Sequence, residues 1–128
     1  MKSGVLKDVI KKEYQKCAKS PVYFMKKYCV VQHPMKGKVP FHLYKYQEKS
    51  LATFEEHRFN IILKARQLGL STLTAGYSLW MMTFHQDKNI LVIATKQDTA
   101  KNLVTKVRVM HANLPSWLKQ KCTEDNKL

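Results

Sequence analysis

At 128 residues the chain is long enough for one domain around one core, and its 45% hydrophobic content excludes wholesale disorder. Twenty-three basic residues against nine acidic ones leave a formal net charge of +14 and a pI near 9.8, an excess that favours polyanions: DNA, RNA, nucleotides or anionic lipid. The longest apolar window, Leu79–Phe84, falls far short of the ~20 residues a membrane span needs.

The elements follow in chain order. Val5, Leu6, Val9, Ile10, Tyr14 and Cys17 stand near helical spacing with lysines opposite, which predicts a basic amphipathic helix over residues 3–17. Its start, MKSGVLKDVIKKEY, has no apolar core of secretory-signal length. The lysines read equally well as a solvated face or as a weak DNA contact. Ser20-Pro21 is an N-cap with proline at the first helical position, opening a short helix through VYFMKKYC. QHPMKGKVPF, with two prolines and a glycine, reads as a loop. Tyr44–His57 reads as a helix. The short apolar run Asn60–Leu63 reads as a buried strand, and so does the β-branched run Asn89–Ala94. Between them, Leu73, Tyr77, Trp80, Met81 and Phe84 give one buried stripe of a helix beginning near Ser71. Thr95 and Asp98 form a T-x-x-D capping box for a last helix, whose face is Ala100, Leu103, Val104, Val107, Met110 and Leu114 and which stops at Pro115. Trp117 is expected to cap the sheet edge. Strand, loop, helix, strand, helix is a βαβα unit, so the fold class is α/β with two parallel neighbouring strands. Two strands make a poor sheet when both faces must be buried, so further strands are expected.

Cys17, Cys29 and Cys122 are odd in number and widely spaced, which supports neither a zinc site nor a disulfide framework. The chemistry is expected instead in KARQLGLSTL, Lys64–Leu73, between the first strand and its helix. A phosphate-binding loop works because backbone N–H groups at a strand-to-helix turn converge on anionic oxygens, with the helix dipole helping. Gly69 permits the tight turn, and Ser71 has the hydroxyl for Mg²⁺. Against the pattern G-x-x-x-x-G-K-[ST], Leu70 stands where the lysine belongs and Lys64 where the first glycine belongs. Lys64 can fold back over the same phosphates, and Arg66 is a second cation for the terminal one. The competing reading makes Gly69 a turn glycine, Ser71 and Thr72 helix caps, and the cations solvated.

RQLG followed by a hydroxyl pair resembles the Walker A segment of tailed-bacteriophage terminase large subunits, the ATP-driven DNA-packaging motors, in the variant with the lysine at the start of the loop. HLYKYQEKSLATF is similar to that family's adenine-recognition segment, in which Gln47 would contact the base; it lies seventeen residues before Lys64. NILVIATKQDTAKNLVTKVRVMHANLPSWLK resembles the strand and helix that follow. The likeness spans about residues 22–119. It implies a P-loop NTPase (RecA-like) fold with ATP and Mg²⁺ as cofactors, and a nucleotide site of Gln47, Lys64, Ala65, Arg66, Gln67, Leu68, Gly69, Leu70, Ser71 and Thr72. Lys64 and Arg66 would act on the phosphates and Ser71 on the metal. The implied organisation is a basic helical segment over 1–43, the first half of the ATPase domain over 44–119 and a polar tail over 120–128. The implied partners are double-stranded DNA, a portal and a small terminase subunit, in a ring of full-length motors at the procapsid in the cytoplasm of an infected bacterium. Gln47, by its residue type alone, is more often a surface helix residue than a base ligand, and Tyr44 and Tyr46 read as simple packing residues.

Hydrolysis needs a carboxylate on Mg²⁺ and a water-positioning group at the end of a further apolar strand. Glu55-Glu56 and Glu124-Asp125 are the adjacent acidic pairs, and neither follows such a strand. The 128-residue chain is therefore expected to bind ATP weakly or not at all, and not to turn it over.

Overall fold

The computed structural model describes residues 2–125. Five helices and one small antiparallel hairpin follow in the order α1 (Lys2–Lys19), α2 (Pro21–Tyr28), β1 (Val30–His33), β2 (Gly37–Pro40), α3 (Lys45–Glu56), α4 (Leu70–Phe84) and α5 (Gln97–Ala112). The class is thus mixed helix and sheet.

The turn between α1 and α2 follows the sequence closely. Ser20 is extended, its Oγ accepts the Tyr23 N–H at 3.2 Å, and Pro21 opens α2 where its missing N–H costs nothing. Two side chains of α2, Phe24 and Met25, then join it to α4. Phe24 and Met25 are fully buried, and the Phe24 ring meets Phe84 of α4 edge-on at 5.4 Å. Met25 lies so close to α4 that a Cβ on Gly76 would stand 3.0 Å from its sulfur, so a larger residue there would require the methionine side chain to shift by a few tenths of an ångström. Trp80 donates its indole N–H to the Cys17 carbonyl at 2.8 Å, tying α4 to the end of α1.

A second tie between α1 and α2 is polar. The Glu13 carboxylate accepts from the Tyr28 hydroxyl at 2.7 Å, from Lys27 at 2.8 Å and from the Tyr23 hydroxyl at 3.0 Å. The Lys27 and Tyr28 hydrogen bonds hold the carboxyl at about 2, well below its ordinary 4.5. Cys17 and Cys29 are buried free thiols, pushed up to about 11 and about 12 by desolvation, whereas Cys122 is exposed.

Several expectations need correction. QHPMKGKVPF is not a loop; it forms most of the hairpin, with Val31 paired to Val39 and His33 to Gly37. Gly37 takes φ +70°, as a three-residue connection requires, and His33 Nδ1 accepts the N–H groups of Met35 and Lys36 inside the turn. Pro40 is tolerated because a two-stranded sheet is all edge. The T-x-x-D capping box does not form either. The N-cap of α5 is Lys96, without a side-chain cap bond. Third, α4 is buried on more than one stripe: Ala75, Gly76, Ser78, Leu79 and Thr83 are buried along with Leu73 and Trp80. It is the central helix, packed against α2, α3 and α5.

The two apolar runs expected as parallel strands carry no strand among the described residues. Residues 60–63 and 89–94 lead into the loop and into α5 with neither helix nor ladder. A strand exists only through a neighbour's hydrogen bonds, and among the described residues no main chain pairs with these runs. Trp117, expected at a sheet edge, instead meets Tyr28 edge-on at 5.4 Å. The tail folds back over the end of α4 and α5, with Arg108 and Asp125 2.6 Å apart and Gln120 donating to the Thr83 carbonyl.

Candidate nucleotide-binding loop

Three features of the sequence shape the loop that enters α4. Gly69, its N-cap, is left-handed at φ +69° and ψ +16°. Gln67, two residues earlier, is also left-handed at φ +60°, a conformation that costs a non-glycine residue ~1–3 kcal/mol unless the surroundings hold it. Two left-handed residues in three turn the chain through a tight concave bend, the backbone form that gathers N–H groups. α4 then starts at once, and Leu73 is the first residue whose N–H returns to the turn, bonding the Gly69 carbonyl at 3.0 Å. The N–H groups of Leu70, Ser71 and Thr72 therefore have no acceptor within the helix.

What holds the bend is α3. Tyr46 donates its hydroxyl to the Leu68 carbonyl at 2.7 Å. Gln47 Nε2 donates to the same carbonyl at 3.3 Å and reaches the Gly69 carbonyl at 3.5 Å, while Gln47 Oε1 accepts the Tyr44 N–H at 2.9 Å. The Gln47 side chain is 2% exposed, so these bonds sit out of water's reach. In a trans peptide the C=O and the next N–H point opposite ways. Drawing the Leu68 carbonyl towards α3 therefore turns the Gly69 N–H away from α3. The fit at this contact is close: a Cβ on Gly69 would lie 2.9 Å from Gln47 Nε2.

The remaining predicted residues fall around this bend. Lys64, Ala65, Arg66 and Leu68 are exposed, and the Lys64 ammonium donates to the Ala65 carbonyl at 3.3 Å, on the loop's own backbone. Arg66 is exposed with no partner among the described residues. Ser71 is exposed on the first turn of α4, and Thr72 is half-buried. Gln47, seventeen positions upstream of Lys64, is brought to the loop, but its amide is committed to backbone groups there. Beside the bend lies a cleft of about 350 Å³ lined by Gln32, His42, Tyr44, Gln47, Gln67 and Thr72, among others. Tyr44 and Tyr46 stand at its rim as an exposed parallel stack, 5.6 Å apart and 7° from coplanar. A larger cavity of about 510 Å³ lies near the other end of α4, between α5 and the tail, apart from all of these residues.

Two contributors escape a reading of the sequence alone. Lys106, on α5, reaches across to donate to Thr72 Oγ1 at 3.3 Å, adding a cation at the first turn of α4. No motif marks a lysine 34 residues away. The hairpin supplies Gln32 to the cleft, and its strand signal was hidden by the two prolines.

The arrangement suits a polyphosphate. Unpaired N–H groups stand at a helix N-terminus behind a tight turn, and the exposed Lys64 and Arg66 precede that turn in the same loop. For a divalent metal it offers the Ser71 hydroxyl, and no group of three or more potential metal-ligating side chains occurs among the described residues. No protein-family model matches the chain.

Proposed function

We propose that this chain is the ATP-binding part of a P-loop (RecA-like) ATPase of the terminase-large-subunit type, a motor that packages double-stranded DNA into procapsids. One observation carries the reading: the left-handed Gly69 turn enters α4 with three N–H groups free, while α3 holds its carbonyls from behind. In this reading the triphosphate sits on the N–H groups of Gly69 to Thr72, Lys64 swings from the Ala65 carbonyl onto the phosphates, and Arg66 meets the terminal one. Ser71 would hold Mg²⁺ when it is bound, supplying charge neutralisation to the phosphate oxygens. The base enters the neighbouring cleft, where Gln47 acts through its grip on the loop. Residues 60–63 and 89–94 are the two parallel strands of the ATPase sheet once neighbours are supplied. In the complete motor the partners are DNA, a portal, a small terminase subunit and further copies in a ring, at the procapsid in the host cytoplasm. No helix among the described residues is long and apolar enough to cross a membrane.

A second reading rests on charge. Residues 1–49 carry twelve lysines against three acidic residues, which favours a non-catalytic basic module that binds nucleic acid. Thermal denaturation separates the two. A ligand bound by the folded state alone raises stability by RT ln(1 + [L]/Kd). Millimolar Mg-ATP should raise the melting temperature saturably, Lys64→Ala should remove the rise, and phosphate release should stay at background. Duplex DNA binding with a steep salt slope, and no response to Mg-ATP, would establish the basic module instead.

A further inference from the structure

Lys106 sets its charge against a neutral group. It is exposed on α5, and its ammonium donates to Thr72 Oγ1 at 3.3 Å. Among the described residues it makes no ion pair. The positions three and four residues to either side on its helix, Asn102, Leu103, Val109 and Met110, carry no carboxylate. An ammonium has three donors and no acceptor, so two of its N–H bonds stay open to another oxygen.

The residue it touches is also short of an acceptor. The Thr72 main-chain N–H has no partner within α4, and its hydroxyl donates to nothing among the described residues. With its oxygen taking a bond from Lys106, that hydroxyl is free to act as a donor. Two helices thus bring donors together with no acceptor between them, and an anionic oxygen is the group that satisfies such a set. Position narrows which anion. Thr72 lines the cleft of about 350 Å³ beside Tyr44 and Gln47, and it also lines a second cleft of about 290 Å³ beside Gln32 and Lys106. Lys64 and Arg66 line neither. We propose that Lys106 binds the phosphate nearest the nucleoside, leaving Lys64 and Arg66 to the phosphates beyond it. The inference rests on the ATPase reading and divides the cations within that site.

The division can be measured, because a cation on the first phosphate serves every nucleotide and a cation on the last serves only ATP. The Thr72 amide shift, followed during titrations with Mg-ATP, Mg-ADP and AMP, gives an affinity for each. Lys106→Met keeps the aliphatic stem and removes the charge. It should weaken all three nucleotides by a similar factor, roughly tenfold, the scale of one hydrogen bond to a charged group. Lys106→Arg should keep the parent's affinities, and Lys64→Met should weaken ATP most and AMP least. The melting temperature of the nucleotide-free Lys106→Met chain should not move, since the side chain is exposed. Lys101→Met makes the same charge change elsewhere on α5 and should leave all three affinities alone. A loss confined to ATP would put Lys106 on the terminal phosphate and overturn the proposal. An equal loss in Lys101→Met would reduce the effect to net charge and overturn it too. So would a parent that binds nucleotide while Lys106→Met binds it as tightly, with the ATPase reading left standing. A parent that binds none of the three nucleotides would remove that reading, and this inference with it.

Discussion

The two ends of α4 are built by different physics. At the α1–α2 junction, Phe24, Met25 and Trp80 are almost wholly buried, Gly76 packs against Met25, and a buried indole bonds a carbonyl. On the loop side, Ile61 and Leu63 lie fully in water and a non-glycine residue holds a strained φ. The first region is stabilised by what it has excluded from solvent. The second is shaped by a few directed hydrogen bonds from Tyr46 and Gln47 and leaves its donors unsatisfied. The contrast teaches that burial builds the platform on which a polar loop can remain open to a ligand.

Substitutions should expose that contrast in graded steps. Leu73→Ala removes a fully buried side chain from the central helix, and urea denaturation should show a loss of ~2–5 kcal/mol. Gly69→Ala places a Cβ against Gln47 Nε2 in a left-handed residue; it should cost ~1–3 kcal/mol and abolish any thermal shift with Mg-ATP. A Gly69→Ala variant as stable as the parent would mean that α3 does not constrain the bend.

Acid should act on the platform through Glu13. Its carboxyl is held at about 2 in the folded chain against an ordinary 4.5, with the Lys27 hydrogen bond as the main cause. A depressed carboxyl stabilises the fold fully above its unfolded value and loses that contribution as pH falls towards the folded one. Melting temperature should therefore drop between about 4.5 and about 2. Glu13→Gln should flatten that part of the profile, and an unchanged slope would remove Glu13 from the account. The smallest effect is expected at Ile61→Ser, within about 0.5 kcal/mol of zero by urea denaturation, because the side chain has nothing to lose.

The same contrast explains what the sequence disclosed. Helix periodicity and the Ser20-Pro21 signal are local, so α1, α2, α3 and α5 lie where spacing places them, within a residue or two. Glycine at 69 and the hydroxyl residues after it likewise foretold a sharp turn into α4. The hairpin was hidden because prolines at 34 and 40 read as breakers, although an edge strand tolerates them. The parallel strands were read from apolar runs that require neighbours to become strands, a property no local pattern contains. Within the site, Gln47 was found through its place beside Tyr46, but its partners, the Leu68 and Gly69 carbonyls, depend on the packing of α3 beside the loop. Lys106 was invisible for the same reason.

The central claim is that the main-chain N–H groups from Gly69 to Thr72 receive a triphosphate with Lys64 closing over it. Amide chemical shifts followed by NMR during a Mg-ATP titration test it most directly. The account predicts saturable shifts concentrated at Gly69, Leu70, Ser71 and Thr72, lost in Lys64→Ala while the rest of the spectrum stays unchanged. Shifts scattered over the lysines of α1, with those four amides unmoved, would contradict it.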